Sequence, residues 1–81
     1  MTLEQTITRN MYILMGIAIA KGYVKNKTEW GEKIGIRIQN MHAVDRGGSF
    51  THSQIYKAAM LVGEDINFVY GVNRKSLRKV V

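Results

Sequence analysis

The sequence contains no cysteine and no proline, and it has few acidic residues. Without cysteine the chain cannot form disulfides, so we expect a protein of a reducing compartment, the cytoplasm. Without proline, no residue imposes the kink or break that proline causes in a helix. Six Asp and Glu oppose twelve Lys and Arg, which leaves a formal net charge of +6. A basic balance of this size in a small domain favours a polyanionic partner, usually nucleic acid and less often an anionic membrane surface.

Catalytic and metal-binding residues are equally scarce. His42 and His52 are the only histidines, and without cysteine they cannot complete a zinc site by themselves. The chain has no HExxH motif, no P-loop and no GxGxxG motif. Asp45 stands beside Arg46 and is expected to tune the surface charge rather than to transfer protons. We therefore expect no enzyme activity, no metal, no cofactor and no small-molecule ligand.

Residues 27–46, KTEWGEKIGIRIQNMHAVDR, have the spacing of a helix-turn-helix. Gly31 falls where a second helix would cross the first, and a small residue there permits close contact. Gly35 can adopt the left-handed conformation that a tight turn requires. The apolar positions that would form the patch shared by the two helices are Trp30, Ile34, Ile36, Met41 and Val44.

This pattern resembles the lambda-repressor-like (Cro and XRE) helix-turn-helix family of phage-type DNA-binding regulators, over roughly residues 5–71. The resemblance includes the Arg46-Gly47 end of the second helix and extends to residues 54–63, QIYKAAMLVG, and 66–71, INFVYG. In two places the chain departs from the family pattern. Gly31 replaces the usual alanine, at a cost of about 0.5–1 kcal/mol in helix stability, and Arg37 replaces the usual Ser/Thr cap before the recognition helix. The resemblance implies a compact all-α five-helix DNA-binding domain over residues 1–71, and residues 72–81 form a basic tail.

Local signals give the approximate bounds of the five helices. We expect them over residues 3–20, 27–34, 38–46, from 51 or 52 to 62, and 66–70. Asn26 is expected to cap the second helix, with Glu29 completing a capping-box-like pair. Thr51 and Gln54 match the capping-box pattern at the start of the fourth helix, and Asp65 is expected to cap the fifth. Their positions in the helical pattern place Trp30, Tyr56 and Phe68 in the core, although an exposed tryptophan would be suited to stacking on bases.

Residues 11–20, MYILMGIAIA, form the longest apolar run and can be read in two ways. They resemble the core and cleavage site of a signal peptide, but ten residues are too few to span a bilayer as a helix. We expect the first helix of the bundle instead. One apolar stripe consists of Ile7, Met11, Leu14 and Ala18, and a second of Ile13, Ile17 and Ala20. In a monomer the second stripe would face water, which indicates self-association as a homodimer.

The resemblance implies which residues would touch DNA, since a recognition helix lies in the major groove. The residues expected to read bases are Ile38, Gln39, Asn40, His42 and Ala43. Glutamine and asparagine amides can pair with adenine through two hydrogen bonds. The alternative is an ordinary solvated helix face, and a lone exposed histidine is often only a surface residue. The expected backbone contacts are Lys27, Thr28, Arg37, Arg46, Ser49, Thr51, Arg74, Lys75, Arg78 and Lys79, with His52 as a further candidate in the loop after the third helix.

The basic tail can be interpreted in two ways. Its four cations stand without any acid between residues 72 and 81, as expected of a solvated chain end. Their spacing also fits a short amphipathic helix with Leu77, Val80 and Val81 on the opposite side.

The sequence therefore predicts a transcription regulator that binds double-stranded DNA with the helix at 38–46. We expect a homodimer on a roughly palindromic operator, with half-sites about 34 Å apart and no membrane contact. Two rival functions remain: a protein-interaction module, including an antitoxin, and a binder of nucleic acid or membrane surfaces that acts through the tail without sequence preference.

Overall fold

Five α-helices, and no strand, make up residues 2–71, the part of the chain that the computed structural model describes. They are α1 (Leu3–Ala20), α2 (Lys27–Ile34), α3 (Ile38–Asp45), α4 (His52–Val62) and α5 (Ile66–Val69). The all-α class is confirmed for this range. Helix α3 ends one residue earlier than expected, because Arg46 is already its C-terminal cap. The tail expected over residues 72–81 lies outside the described residues.

Reciprocal side-chain caps start α1 and α4. Thr51 Oγ1 accepts the Gln54 N–H at 3.2 Å, and Gln54 Oε1 accepts the Thr51 N–H at 2.9 Å. The same arrangement forms at the start of α1. There the Gln5 N–H donates to Thr2 Oγ1 at 3.1 Å, and the Thr2 N–H donates to Gln5 Oε1 at 2.9 Å. These bonds satisfy amides that a helix leaves unpaired in its first turn, so both starts are determined locally.

The starts of α2 and α3 are less complete. Asn26 Oδ1 accepts the Glu29 N–H at 2.9 Å, as expected. The Glu29 carboxylate, however, accepts the Lys25 N–H at 3.3 Å, so the expected pair with Asn26 is not closed. Within the described residues, Arg37 adds no side-chain hydrogen bond to the start of α3. Helix α3 therefore depends on packing rather than on a cap for its position.

The corner between α2 and α3 is built on two glycines. Gly35 ends α2 with φ of 85°, in the left-handed region that favours glycine. A Cβ atom placed on Gly31 would lie 3.0 Å from the Ile36 carbonyl oxygen and 3.8 Å from Met41 Cγ. The expected close contact at Gly31 is confirmed, and it explains why a residue that weakens an isolated helix stands here.

An aromatic cluster joins the buried Trp30 and Phe50 to the partly buried Tyr12. The three ring centroids lie 6.0–6.1 Å apart, two of the pairs edge to face. Trp30 is fully buried, which confirms it as a core residue. The surrounding apolar side chains that are also fully buried are Met11, Leu14, Ala18, Ile34, Met41, Ala58 and Val69.

Tyr56 is not in the core, and its assignment there was wrong. Its side chain is 52% exposed on the outer side of α4. Helix α4 buries Ile55, Ala58 and Ala59 instead, and a residue next to Ile55 points about 100° away from that face. Phe68 is partly buried and packs against the core.

Helix α1 divides its two apolar stripes between core and surface. Met11, Leu14 and Ala18 are buried, whereas Ile13 is 43% exposed. Ala20 is also exposed, so part of the second stripe faces outward as expected. Within residues 2–71, no helix combines the length and the apolar character needed to cross a membrane.

The short helix α5 is attached to α1 by one buried amide. Asn10 is only 5% exposed, and its Nδ2 donates to the carbonyl oxygens of Phe68 at 2.9 Å and Val69 at 3.2 Å. These carbonyls stand at the C-terminal end of a four-residue helix, and the Phe68 oxygen also accepts the Gly71 N–H at 3.1 Å. Asn10 therefore ties the last two carbonyls of α5 to α1.

Replacing Asn10 with leucine should destabilise the fold. The substitution removes the donor and leaves two carbonyls without this partner, at an expected cost of about 1–3 kcal/mol. Urea unfolding followed by circular dichroism measures the change. Asn67→Ala, at an exposed asparagine of α5, should stay within about 0.5 kcal/mol of the wild type. Equal effects of the two substitutions would contradict the role assigned to Asn10.

Candidate nucleic-acid interface

One face of α3 is anchored and the other is open to solvent. Met41 is fully buried and Val44 is 5% exposed, so these two residues hold the helix against the core. The five residues expected to read bases, Ile38, Gln39, Asn40, His42 and Ala43, are all exposed. The structure thus brings the expected base-reading residues together on a single outward surface, here called the α3 face.

Two hollows border the α3 face. The first lies between α2 and the start of α3, where Thr28, Arg37 and Gln39 line it. The second lies between α3 and the start of α4, lined by residues that include Asn40, Ala43, Ser49 and Thr51. The α3 face is therefore a ridge with a groove on each side, and the expected backbone contacts Thr28, Arg37, Ser49 and Thr51 lie in those grooves.

Two polar residues in the hollows were not predicted from the sequence. Glu32 lines the first hollow, one helical turn after Thr28, and puts a carboxylate near Arg37 and Gln39. Gln54 lines the second hollow and is also the capping partner of Thr51. The i+4 spacing from Thr28 is a signal that could have located Glu32 on this side of α2.

Thr51 and His52 have structural partners that limit their other contacts. The Thr51 hydroxyl oxygen accepts the Gln54 N–H, which leaves its own proton free to be donated. His52 Nδ1 lies 2.6 Å from the Tyr70 hydroxyl oxygen, and the two rings are stacked with centroids 6.1 Å apart. His52 therefore links the start of α4 to the end of α5.

The exposed cations near the interface differ in their surroundings. Arg37 and Arg46 flank α3 and are exposed, as expected. Lys57 of α4 was not expected here. A Cβ atom placed on Gly35 would lie 3.4 Å from Lys57 Nζ, so this ammonium group is close to Gly35. That position is at the C-terminal end of α2, where a positive charge is favourable for the helix. The expected contacts Arg74, Lys75, Arg78 and Lys79 lie outside the described residues.

Lys27 has an anionic partner within the chain. Its Nζ lies 2.9 Å from Asp45 Oδ2, and the Tyr12 hydroxyl donates to Asp45 Oδ1. Lys27 Nζ also lies 5.2 Å from the centroid of the Tyr12 ring. This Tyr12–Asp45–Lys27 cluster joins α1, the end of α3 and the start of α2. Asp45 was predicted to lie at the surface, but neither of its partners was predicted from the sequence.

The cluster shifts the pKa of two of its members. The hydrogen bonds from Tyr12 and Lys27 hold the pKa of Asp45 below its ordinary value of 3.8. Burial, followed by the hydrogen bond to Asp45 and its negative charge, raises the pKa of Tyr12 above its ordinary value of 10.0. Both shifts favour the charged carboxylate and the neutral phenol, which is the pairing seen here.

No metal centre is formed by residues 2–71, where His, Asp and Glu do not gather in groups of three or more. Comparisons of the chain with protein-family models, curated proteins and solved structures find no match. A functional assignment therefore depends on the geometry of the α3 face and on the charge of the chain.

Acid should selectively weaken the contribution of Asp45. A carboxylate with a lowered pKa in the folded state adds stability above its unfolded pKa, and this stability is lost as the pH falls through the lowered value. The difference in free energy of unfolding between the wild type and Asp45→Asn should stay constant from pH 7 to about 5. Below about pH 4 the wild type should lose stability relative to the variant. Urea unfolding at each pH measures this difference.

Tyr12→Phe is the matched variant, because it removes the largest cause of the lowered Asp45 pKa and keeps every charge. Its stability should depend less on acid than that of the wild type. A wild type and an Asp45→Asn variant with parallel pH profiles would contradict the role of the charge.

Proposed function

We propose that the protein is a regulator that binds double-stranded DNA sequence-specifically and reads the major groove with α3. The observation that carries the proposal is the division of α3 into an anchored side and an exposed polar side. Met41 and Val44 fix the helix, and Gln39 and Asn40 are free to reach a base edge. A helix presented as a ridge has the shape that a major groove admits.

The chemistry of the α3 face fits base recognition. The Gln39 and Asn40 amides each offer a donor and an acceptor, which matches N7 and N6 of adenine. Ile38 and Ala43 are apolar and exposed, so they suit the methyl group of thymine. Each good two-bond pair discriminates by about 1–3 kcal/mol against the wrong base.

The surroundings of the α3 face suit the two DNA backbones. The hollows on either side of the ridge contain the hydroxyls of Thr28, Ser49 and Thr51 as donors for phosphate oxygens. Arg37 and Arg46 add positive charge at the two ends of α3. Glu32 opposes a phosphate in the first hollow, so we place the backbone there nearer to Thr28 and Arg37.

A homodimer on a roughly palindromic operator completes the proposal. The interface would be the outer side of α1, because no charged residue occurs between Arg9 and Lys21 and Ile13 and Ile19 are 43% and 38% exposed. Solvent-facing sides of surface helices are normally polar. The same surface is the observation that favours a second candidate function, a protein-interaction module whose partner packs on α1.

Replacing Gln39 and Asn40 with alanine should remove sequence preference. Both residues are exposed, so the fold should be retained, and phosphate contacts elsewhere should preserve most of the sequence-independent affinity. The measurement is selection of bound sequences from a random duplex pool, with an inverted repeat enriched by the wild type. Asn67→Ala is the control for loss of an exposed amide and should enrich the same repeat. An unchanged preference in the Gln39/Asn40 variant would show that α3 is not the reader.

Charging the outer side of α1 should separate the proposed dimer. Ile13→Glu combined with Ile19→Glu introduces like charges into an apolar contact, so sedimentation equilibrium should show monomers where the wild type shows dimers. Tyr56→Ser, at an exposed apolar residue of α4, should leave the dimer intact. A wild type that is monomeric at all concentrations would rule out this interface.

A further inference from the structure

The pairing of Lys27 with Asp45 has consequences for DNA binding. The two charged atoms lie 2.9 Å apart, and both side chains are partly exposed, at 37% and 38%. A polyanion in solution can therefore reach Lys27, but the ammonium group already has an anionic partner. The cation that stands first in α2 is thus paired before any DNA arrives.

The pair lies at the border of the α3 face. Lys27 directly precedes Thr28, which lines the first hollow. Asp45 is the last residue of α3, three positions after His42 of the α3 face. A DNA backbone that approaches the start of α2 would meet Lys27 together with the first-turn amides that Asn26 does not cap.

Each oxygen of the Asp45 carboxylate has a hydrogen-bond donor. Tyr12 donates to one of its oxygens and Lys27 to the other, so the carboxylate is oriented on both sides. The ammonium group also lies over the Tyr12 ring, 5.2 Å from the centroid. Carboxylate and phosphate oxygens are the same kind of acceptor for an ammonium group.

We propose that Asp45 is an intramolecular competitor of DNA phosphates for Lys27. It lowers the sequence-independent part of DNA affinity, because Lys27 must leave Asp45 before it can neutralise a phosphate. The assignment rests on the proposed function, since it concerns the same interface. Lys27 was expected to contact a phosphate in every DNA complex. In this proposal it does so only when Asp45 is neutralised or displaced.

The test measures the salt dependence of binding to a short, fluorescently labelled duplex of mixed sequence. Each additional phosphate contact makes the slope of log Kobs against log salt steeper by about 0.9. Asp45→Asn should therefore steepen the slope by about 0.9 and raise affinity roughly eightfold at about 0.1 M salt. Lys27→Gln should leave the wild-type slope unchanged. The double variant Asp45→Asn/Lys27→Gln should lose the gain.

Two matched controls separate competition from simpler effects. Glu64→Gln makes the same change in net charge in the loop between α4 and α5, and its slope should equal that of the wild type. Tyr12→Phe removes the hydrogen bond to Asp45 but keeps the ion pair, so its slope should also stay unchanged. Circular dichroism verifies that each variant is folded.

The inference is wrong if Asp45→Asn leaves the slope unchanged, or if Lys27→Gln alone makes the wild-type slope shallower by about 0.9. The second result decides the matter even if Asp45→Asn does not fold. Selection from a random pool separates this inference from the proposed function. No enriched sequence, together with a steeper slope for Asp45→Asn, would overturn the proposed function alone. An enriched sequence with identical slopes would overturn the inference alone, and no duplex binding by either protein would overturn both.

Discussion

Close packing of Gly31 against the Ile36 carbonyl is the constraint on which the rest of the structure depends. A Cβ atom at position 31 would lie 3.0 Å from that oxygen, closer than side-chain carbons normally come. The contact brings the end of α2 against the turn that starts α3, and Gly35 reverses the chain between them with φ of 85°. The direction of α3, and with it the outward direction of Gln39 and Asn40, follows from this corner.

Helix α3 is short, and within the described residues Arg37 adds no side-chain cap to its start. An eight-residue helix is marginal by itself in water, so tertiary contacts must supply its stability. Met41 and Val44 provide the apolar anchor, and Asp45 attaches the other end to Tyr12 and Lys27. The polar attachment also engages a cation at the edge of the α3 face, so the group that positions the helix also pairs with a charge beside that face.

Local signals in the sequence predicted the helices well, whereas contacts between distant residues were not predictable. The bounds of α1 and α2 and the cap at Thr51 follow from residues within a few positions of each other. Tyr56 was misplaced because its neighbours Ile55 and Ala58 fill the buried side of α4, so the side chain at position 56 faces outward. The exposure of the α3 face was predictable, since it follows from the spacing of Met41 and Val44.

Several polar contacts join residues that are far apart in the chain. Lys27 and Asp45 are 18 positions apart, and Tyr12 and Asp45 are 33 apart. Asn10 reaches α5 across 58 positions. Single-sequence periodicity shows which side of a helix is buried, but not which neighbour a charged or amide group meets. The partners of Asp45 and Asn10 therefore required the three-dimensional structure.

The central claim is that α3 is the surface that contacts DNA, and an NMR titration tests it most directly. The protein is titrated with the duplex enriched by selection, and backbone and side-chain amide resonances are followed. The account predicts that the largest shifts occur at residues 38–43, including the side-chain amides of Gln39 and Asn40, with smaller ones around the two hollows. Shifts confined to the outer side of α1, with α3 unaffected, would contradict it.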